Sequence, residues 1–480
     1  MIFSVGLLAL AAFTTAAPTS SNISEPYDYI VVGGGTAGIA LASRLSDRFP
    51  LDRILVIEAG PYAPDEPRIN TPGRKGSTLG TSYDWNFTTI PQENASRRRA
   101  YQPSNVDPTT YTRTYSANTY FIGTGYNLEL RANTLVDTVT FEDGEDGDLH
   151  TTGTPCRLAR SIQSSGILER SGVGLASTLE PLGVPVRLAL PVGENLQDHI
   201  RVQTSFQLRD NYTSFDKLRY DPVYAAEQLT LWGQSQPSAY DYTGSEYFFG
   251  TWPSILGNSS SHLLSLATRA LGNSTSPIAA EKLKYLTTPL GDNVPQLEII
   301  FSDGYTGVKG YPSVNSTLYG KGFITLISAL QHPLSVGNIH ISSLAPGATP
   351  LINPNYLSYE YEVEALVAAI KYARRVASTY PLAQSWESEY EPGPAVQTDE
   401  QIRQYIRDTV LTIYHPVGTC AMLPREKGGV VDPELRVYGT QGLRVVDASV
   451  MPILPPGHIQ TGVYAIAERG ADFITETWRG

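Results

Sequence analysis

Cysteine is nearly absent from the chain. Its 480 residues include two, Cys156 and Cys420. A disulfide scaffold and a thiolate zinc site are excluded, and only a single Cys156–Cys420 bridge remains open. Histidine is scarce too, at seven, and none falls in a His-x-x-x-His or mixed Cys/His pattern, so no metal site is expected. No Gly-x-Ser-x-Gly elbow occurs, which leaves a serine hydrolase without support. Basic residues are outnumbered, 35 against 47 acidic ones, for a formal net charge of −12. That balance argues against nucleic acid or an anionic membrane surface as a partner. The one dense basic cluster, Arg97-Arg98-Arg99, is short and isolated and reads as a solvated loop. Internal repeats are absent, and no segment is long and apolar enough to span a membrane.

The chain has the makings of a large folded core. An apolar fraction of 41% and a charged fraction of 17% are those of a globular protein, and the length suggests two or more domains. The apolar run Ile2–Phe13, followed by Thr14-Thr15-Ala16-Ala17, reads as an export signal over residues 1–20. Sequons begin at Asn22, Asn86, Asn94, Asn211, Asn258, Asn273 and Asn315. Secretion and N-glycosylation are the expectation.

Tyr27–Val32 reads as a strand that enters Gly33-Gly34-Gly35-Thr36-Ala37-Gly38. A helical pattern follows through Leu45, then a second strand, Ile54–Ile57, ending at Glu58. This is a βαβ unit. Residues 61–114 lack periodicity. Asn127 to Phe141 alternates as a strand pair does, and 144–153 is acidic and turn-like. Helices are expected at Ile162–Glu169, Glu360–Thr379, Glu400–Val410 and Val463–Thr475. Strands are expected at Gln296–Phe301, Phe323–Leu330, Gly337–Ser342 and Leu443–Asp447. The fold class is α/β: a Rossmann-like dinucleotide-binding domain with a second, α+β domain built on an antiparallel sheet. The expected boundaries are 25–200 and 411–480 for the first domain and 201–410 for the second.

The Gly33-x-Gly35-x-x-Gly38 fingerprint acts through its backbone. Gly33 permits the tight turn, Gly35 lets a pyrophosphate approach, and Gly38 lets helix and strand pack closely. The helix N-terminus faces the phosphates. Glu58 stands at the end of the second strand, where a carboxylate receives an adenosine ribose. Near the C-terminus lie His415, in Tyr-His-Pro-Val-Gly-Thr-Cys, and His458, in Pro-Pro-Gly-His-Ile-Gln-Thr. On spacing alone, each reads as a satisfied core or surface histidine rather than a catalytic one.

Five segments resemble the glucose–methanol–choline (GMC) oxidoreductases. They are residues 27–38 with Val56-Ile57-Glu58-Ala59-Gly60; Tyr83-Asp84-Trp85-Asn86-Phe87; residues 161–174 leading to Val-Gly-Glu-Asn-Leu-Gln-Asp-His at 192–199; His-Pro-Leu-Ser-Val-Gly-Asn-Ile-His-Ile at 332–341 with Asn-Pro-Asn-Tyr-Leu at 353–357; and the stretch from His415 to His458. The resemblance implies FAD as cofactor and oxidation of a CH–OH group on a small-molecule alcohol, with oxygen or another electron acceptor. The types it suggests are aryl-alcohol and fungal secondary-metabolite enzymes. By position, it implies His415 as base toward the hydroxyl and His458 as its hydrogen-bonding assistant. It places Gly33, Gly35, Thr36, Ala37, Gly38, Glu58 and Ala59 around the dinucleotide and Val136 at the adenine. Asp447 and Ala448 fall near the pyrophosphate, and Gln460 and Thr461 at the flavin ring.

Two stretches depart from the family pattern. The first signature, a Gly-Gly-Ser-Ser-like turn, is missing after Asp84-Trp85. Arg160 stands where the second signature opens on Gly or Ser, and residues 151–156 replace an expected apolar strand. Two further readings therefore accompany the oxidoreductase: a non-redox cyclodehydratase on the same fold, and an inactive truncated member.

Overall fold

A computed structural model describes residues 26–74, 77–92, 105–106, 110–152, 156–158, 162–241, 246–287, 289–345 and 347–479. The export signal, Asn22, Asn94, Arg97–Arg99 and Arg160 lie outside the described residues. Sequon residues Asn86, Asn211, Asn258, Asn273 and Asn315 are all exposed. Among the described residues, no helix is long and apolar enough to cross a membrane.

The first layer opens with β1 (Tyr29–Val32), α1 (Thr36–Arg48) and β2 (Ile54–Ile57). It continues with β3 (Leu128–Arg131), β4 (Cys156–Leu158) and α2 (Gln163–Arg170). Strands β1 and β2 are apolar and almost wholly buried, as strands covered on both faces must be. Two expectations need correcting here. The 127–141 stretch is not a strand pair: β3 joins β2 in parallel, while Phe141–Asp143 pairs with Leu149–Thr151. Nor does the strand before position 160 fail, because β4 pairs in parallel with β1, Ile30 opposite Cys156. Three residues are enough, since the ladder is made by backbone groups and neighbours on both sides support it.

The second layer is an antiparallel sheet. Its strands are β5 (Ile200–Leu208), β6 (Glu246–Gly250), β7 (Leu297–Ser302), β8 (Phe323–Leu330) and β9 (Trp386–Glu391), in the order β6-β7-β8-β5-β9, and a short strand, Leu411–Thr412, also pairs with β5. Its helices are α3 (Pro222–Gly233), α4 (Ser260–Leu271), α5 (Pro277–Leu286), α6 (Glu360–Ala377) and α7 (Asp399–Thr409). Helix α6 buries Val363, Leu366, Val367 and Ile370 in one cluster with Ile200, Phe206 and Leu326 from the sheet. Each such side chain contributes about 1.5–3 kcal/mol on leaving water.

The chain then returns to the first sheet as β10 (Leu443–Val445), giving the order β10-β4-β1-β2-β3. It ends in α8 (Gln460–Arg479). Helix α8 is joined to α1 by ion pairs Arg44–Glu468, at 2.9 Å, and Arg48–Asp472, at 2.6 Å. Cys420 is a free, buried thiol, so the Cys156–Cys420 bridge does not exist.

Candidate active site

The parallel strands bring three predicted sites to one sheet edge, because Gly33, Glu58 and Asp447 all follow the C-terminal ends of β1, β2 and β10. That edge is where open α/β sheets bind ligands. Gly33 has φ +110°, a conformation that side chains resist. Gly35 caps α1, and a Cβ built on it meets nothing within 4 Å. The helix thus starts on open space. Thr36, Ala37 and Gly38 form its first turn, which carries no acidic residue to offset the positive end of the helix dipole. The Glu58 carboxylate is oriented by the backbone N–H groups of Gly34, at 2.7 Å, and Gly60, at 2.6 Å.

Beside it Val32, Ile57, Ala59, Val136, Gln163 and Ile167 line a narrow, mainly apolar crevice. The held carboxylate suits a ribose, and the open space at Gly35 suits a pyrophosphate. Asp447 is buried and already engaged: it accepts from Ser164 Oγ and from Ser449 N, both at 2.7 Å. It thereby fixes the turn at Ala448 and does not itself reach outward. Gln460 and Thr461 open α8, and Thr461 is exposed.

The two C-terminal histidines meet, with ring centroids 5.3 Å apart. His415 is buried. Its backbone N–H donates to Asp198 Oδ1 at 2.9 Å, and Asp198 Oδ2 accepts from Tyr356 Oη at 2.6 Å. Burial raises the Asp198 carboxyl to about 6. Burial, and then the neighbouring His458, lower His415 to about 3, so its imidazole is neutral near physiological pH. His458 Nε2 lies 3.0 Å from Glu298 Oε1, and Glu298 Oε2 accepts from Gln331 Nε2 at 3.0 Å. Tyr247 stands edge-on to His458, with centroids 5.0 Å apart.

His199, Glu298 and Gln331 are among the residues of this centre that the sequence reading did not single out. His199 Nδ1 lies 2.9 Å from His415 Nδ1, and its Nε2 lies 3.0 Å from the Gln331 carbonyl oxygen. Gln331 also takes the Gly457 N–H on Oε1 at 2.6 Å. One residue thus supports the surroundings of both histidines. The sheet register explains the convergence. Ile200 pairs with Leu330 and also with Thr412, so His199, Gln331 and the loop to His415 are neighbours across the ladder.

Fold and site together define a class: an α/β dinucleotide-binding protein whose second, antiparallel sheet carries a buried histidine centre. A family model described as GMC oxidoreductase matches residues 333–467. The GMC oxidoreductase family protein Mala s 12 of Malassezia sympodialis is 33% identical over 391 residues, covering 77% of this chain and 60% of that protein. A dehydrogenase of Armillaria gallica is 26% identical over 617 residues, covering 95% and 94%. A solved fungal aryl-alcohol oxidase superposes with a TM-score of 0.72 at 22% identity, covering 95% of this chain and all of that one. The chain belongs to the GMC oxidoreductase family. It spans about 60% of the length of the Malassezia relative. FAD is the cofactor of this family, and the glycine turn at Gly33–Gly38 and the oriented Glu58 carboxylate fit it.

Proposed function

We propose that the protein is an FAD-dependent oxidoreductase that oxidises a CH–OH group on a small aromatic or secondary-metabolite alcohol. The observation that carries this reading is the neutral, buried imidazole of His415 held against His458. A hydroxyl placed between the two rings meets a base and a second hydrogen-bonding group at once. As His415 takes the hydroxyl proton, the alcohol carbon becomes a better hydride donor. When bound, FAD supplies the hydride acceptor.

The protein's own contribution is position and a proton acceptor. His458 turns Nε2 toward Glu298 Oε1, which leaves Nδ1 for the substrate side. Tyr247 adds an aromatic edge beside His458. With the exposed Phe249 on the same strand, it favours a flat aromatic substrate. An aromatic alcohol oxidised at its benzylic carbon is the substrate class this wall suits.

The test is His415→Ala in the flavin-loaded protein, assayed on a panel of benzylic alcohols. Turnover should fall by about 10²–10⁴-fold, the usual contribution of a positioned base, while the yellow flavin stays bound. Near-normal turnover in that variant would remove His415 from the mechanism. Anaerobic mixing with substrate should bleach the flavin. Product formed without bleaching would instead favour the non-redox cyclodehydratase. Repeating the bleached sample with air, then with a quinone, assigns the electron acceptor.

A further inference from the structure

We propose that His199 is a positioning residue that fixes the tautomer of His415, leaving the lone pair on His415 Nε2, the ring nitrogen turned away from His199. This rests on the reading of His415 as the base.

One hydrogen-bonded chain runs from Gln331 through His199 to His415. The Gln331 carbonyl oxygen is only an acceptor. The nitrogen 3.0 Å from it, His199 Nε2, therefore carries a proton. His199 is fully buried. Burial, followed by the His415 and His332 rings, lowers its pKa well below the ordinary value, so the ring is neutral and carries no second proton. Its Nδ1 is then a lone pair. The contact at 2.9 Å to His415 Nδ1 is a hydrogen bond only if His415 donates, so His415 holds its proton on Nδ1. In a neutral imidazole the other nitrogen is bare. Among the described residues, no hydrogen-bond partner occupies His415 Nε2, and the side chain meets His458 instead.

The opposite tautomer would point N–H at the substrate hydroxyl and could not accept its proton. It would also leave two lone pairs facing each other at 2.9 Å inside a buried site. A wrong tautomer thus carries both a catalytic and an electrostatic penalty. The framework behind the chain is rigid. His199 and Gln331 lie next to the paired Ile200 and Leu330, and the His199 carbonyl accepts from Ile413 N at 3.0 Å. Gln331 also holds Glu298 through its side chain. The partners of the two site histidines therefore share one anchor.

The experiment uses the full-length, flavin-loaded protein labelled with ¹⁵N-histidine. His415 is assigned by the signals lost in His415→Gln. Long-range couplings to the ring protons tell a protonated Nδ1 from a protonated Nε2. Protonated Nδ1 in His415 together with protonated Nε2 in His199 is the expected spectrum. Protonated Nε2 in His415 overturns the proposal, whether or not the protein turns over. His199→Asn keeps an oxygen acceptor near the Nδ1 position, and His199→Leu has none. The leucine variant should lose about 10²-fold in kcat, at the low end of what a positioned base supplies, with KM little changed. The asparagine variant should recover most of that loss. Equal activity in the two variants would also overturn it. If the expected tautomer is found in a protein inactive on every alcohol tried, the oxidoreductase reading fails and the tautomer assignment stands.

Discussion

Glu298 shows what a single buried side chain contributes to this centre. It is fully buried and takes one hydrogen bond from His458 and one from Gln331. Glu298→Gln replaces one acceptor oxygen with an amide that faces a donor. We expect a stability loss of about 1–3 kcal/mol, the cost of an unsatisfied buried group, visible in a urea titration. We also expect kcat to fall as His458 loses its fixed orientation, while flavin stays bound. At this scale the sequence was half legible. His415 and His458 stand in recognisable segments, and His199 stands at the end of another. No motif points to Glu298 or Gln331, because their roles arise only when β7 and β8 lie side by side. Strand β5 could not help either: all nine of its residues are buried, so it shows no alternation to read.

Elements are held by a few such contacts between them. His340 sits between α2 and the loop before β5, with Nδ1 2.6 Å from Glu169 and Nε2 3.2 Å from Glu194. Burial works against its charge, but the hydrogen bonds to Glu169 and Glu194 outweigh it and raise the pKa to about 9. The unfolded value is near 6.5. The imidazolium therefore stabilises the fold fully below about pH 6.5, and that contribution is lost as pH rises through about 9. His340→Gln should be markedly less stable than the parent at pH 6, and the gap should narrow by pH 10 in paired thermal melts. A gap independent of pH would refute the ion-pair account.

Helices α3, α4 and α5 were not anticipated, although their start signals are present. Asp221 caps α3 by accepting from Tyr224 N, and Ser276 caps α5 by accepting from Ala279 N, each followed by proline. Helix α3 buries none of its residues, so it shows no apolar stripe. Helices α6 and α7, with strong stripes and charged outer faces, were legible to within two residues.

At the scale of the whole molecule, the question is how much of the family's architecture survives a shorter chain. The alignment to the Armillaria dehydrogenase runs over 617 positions, more than the 480 residues present, so that relative carries internal segments this chain lacks. Both sheets nevertheless close, and the dinucleotide cradle and the histidine centre each rest on retained strands: β1, β2 and β10 for one, β5, β7 and β8 for the other. Gly35 separates folding from cofactor binding. Its φ of −81° and ψ of −164° suit an ordinary side chain, and a Cβ there meets nothing within 4 Å. Gly35→Val should therefore change the stability of the flavin-free protein by less than about 1 kcal/mol, an ordinary N-cap effect. The added methyl groups occupy the space that a pyrophosphate needs at the start of α1. The parent should be purified yellow and melt higher with added FAD. The valine variant should be colourless, with a melting temperature that FAD does not move. A parent that takes up no FAD would show that the retained strands alone do not complete the site, and would favour the inactive-member reading. A valine variant that still binds FAD would place the phosphates elsewhere than on the Gly33–Gly38 turn.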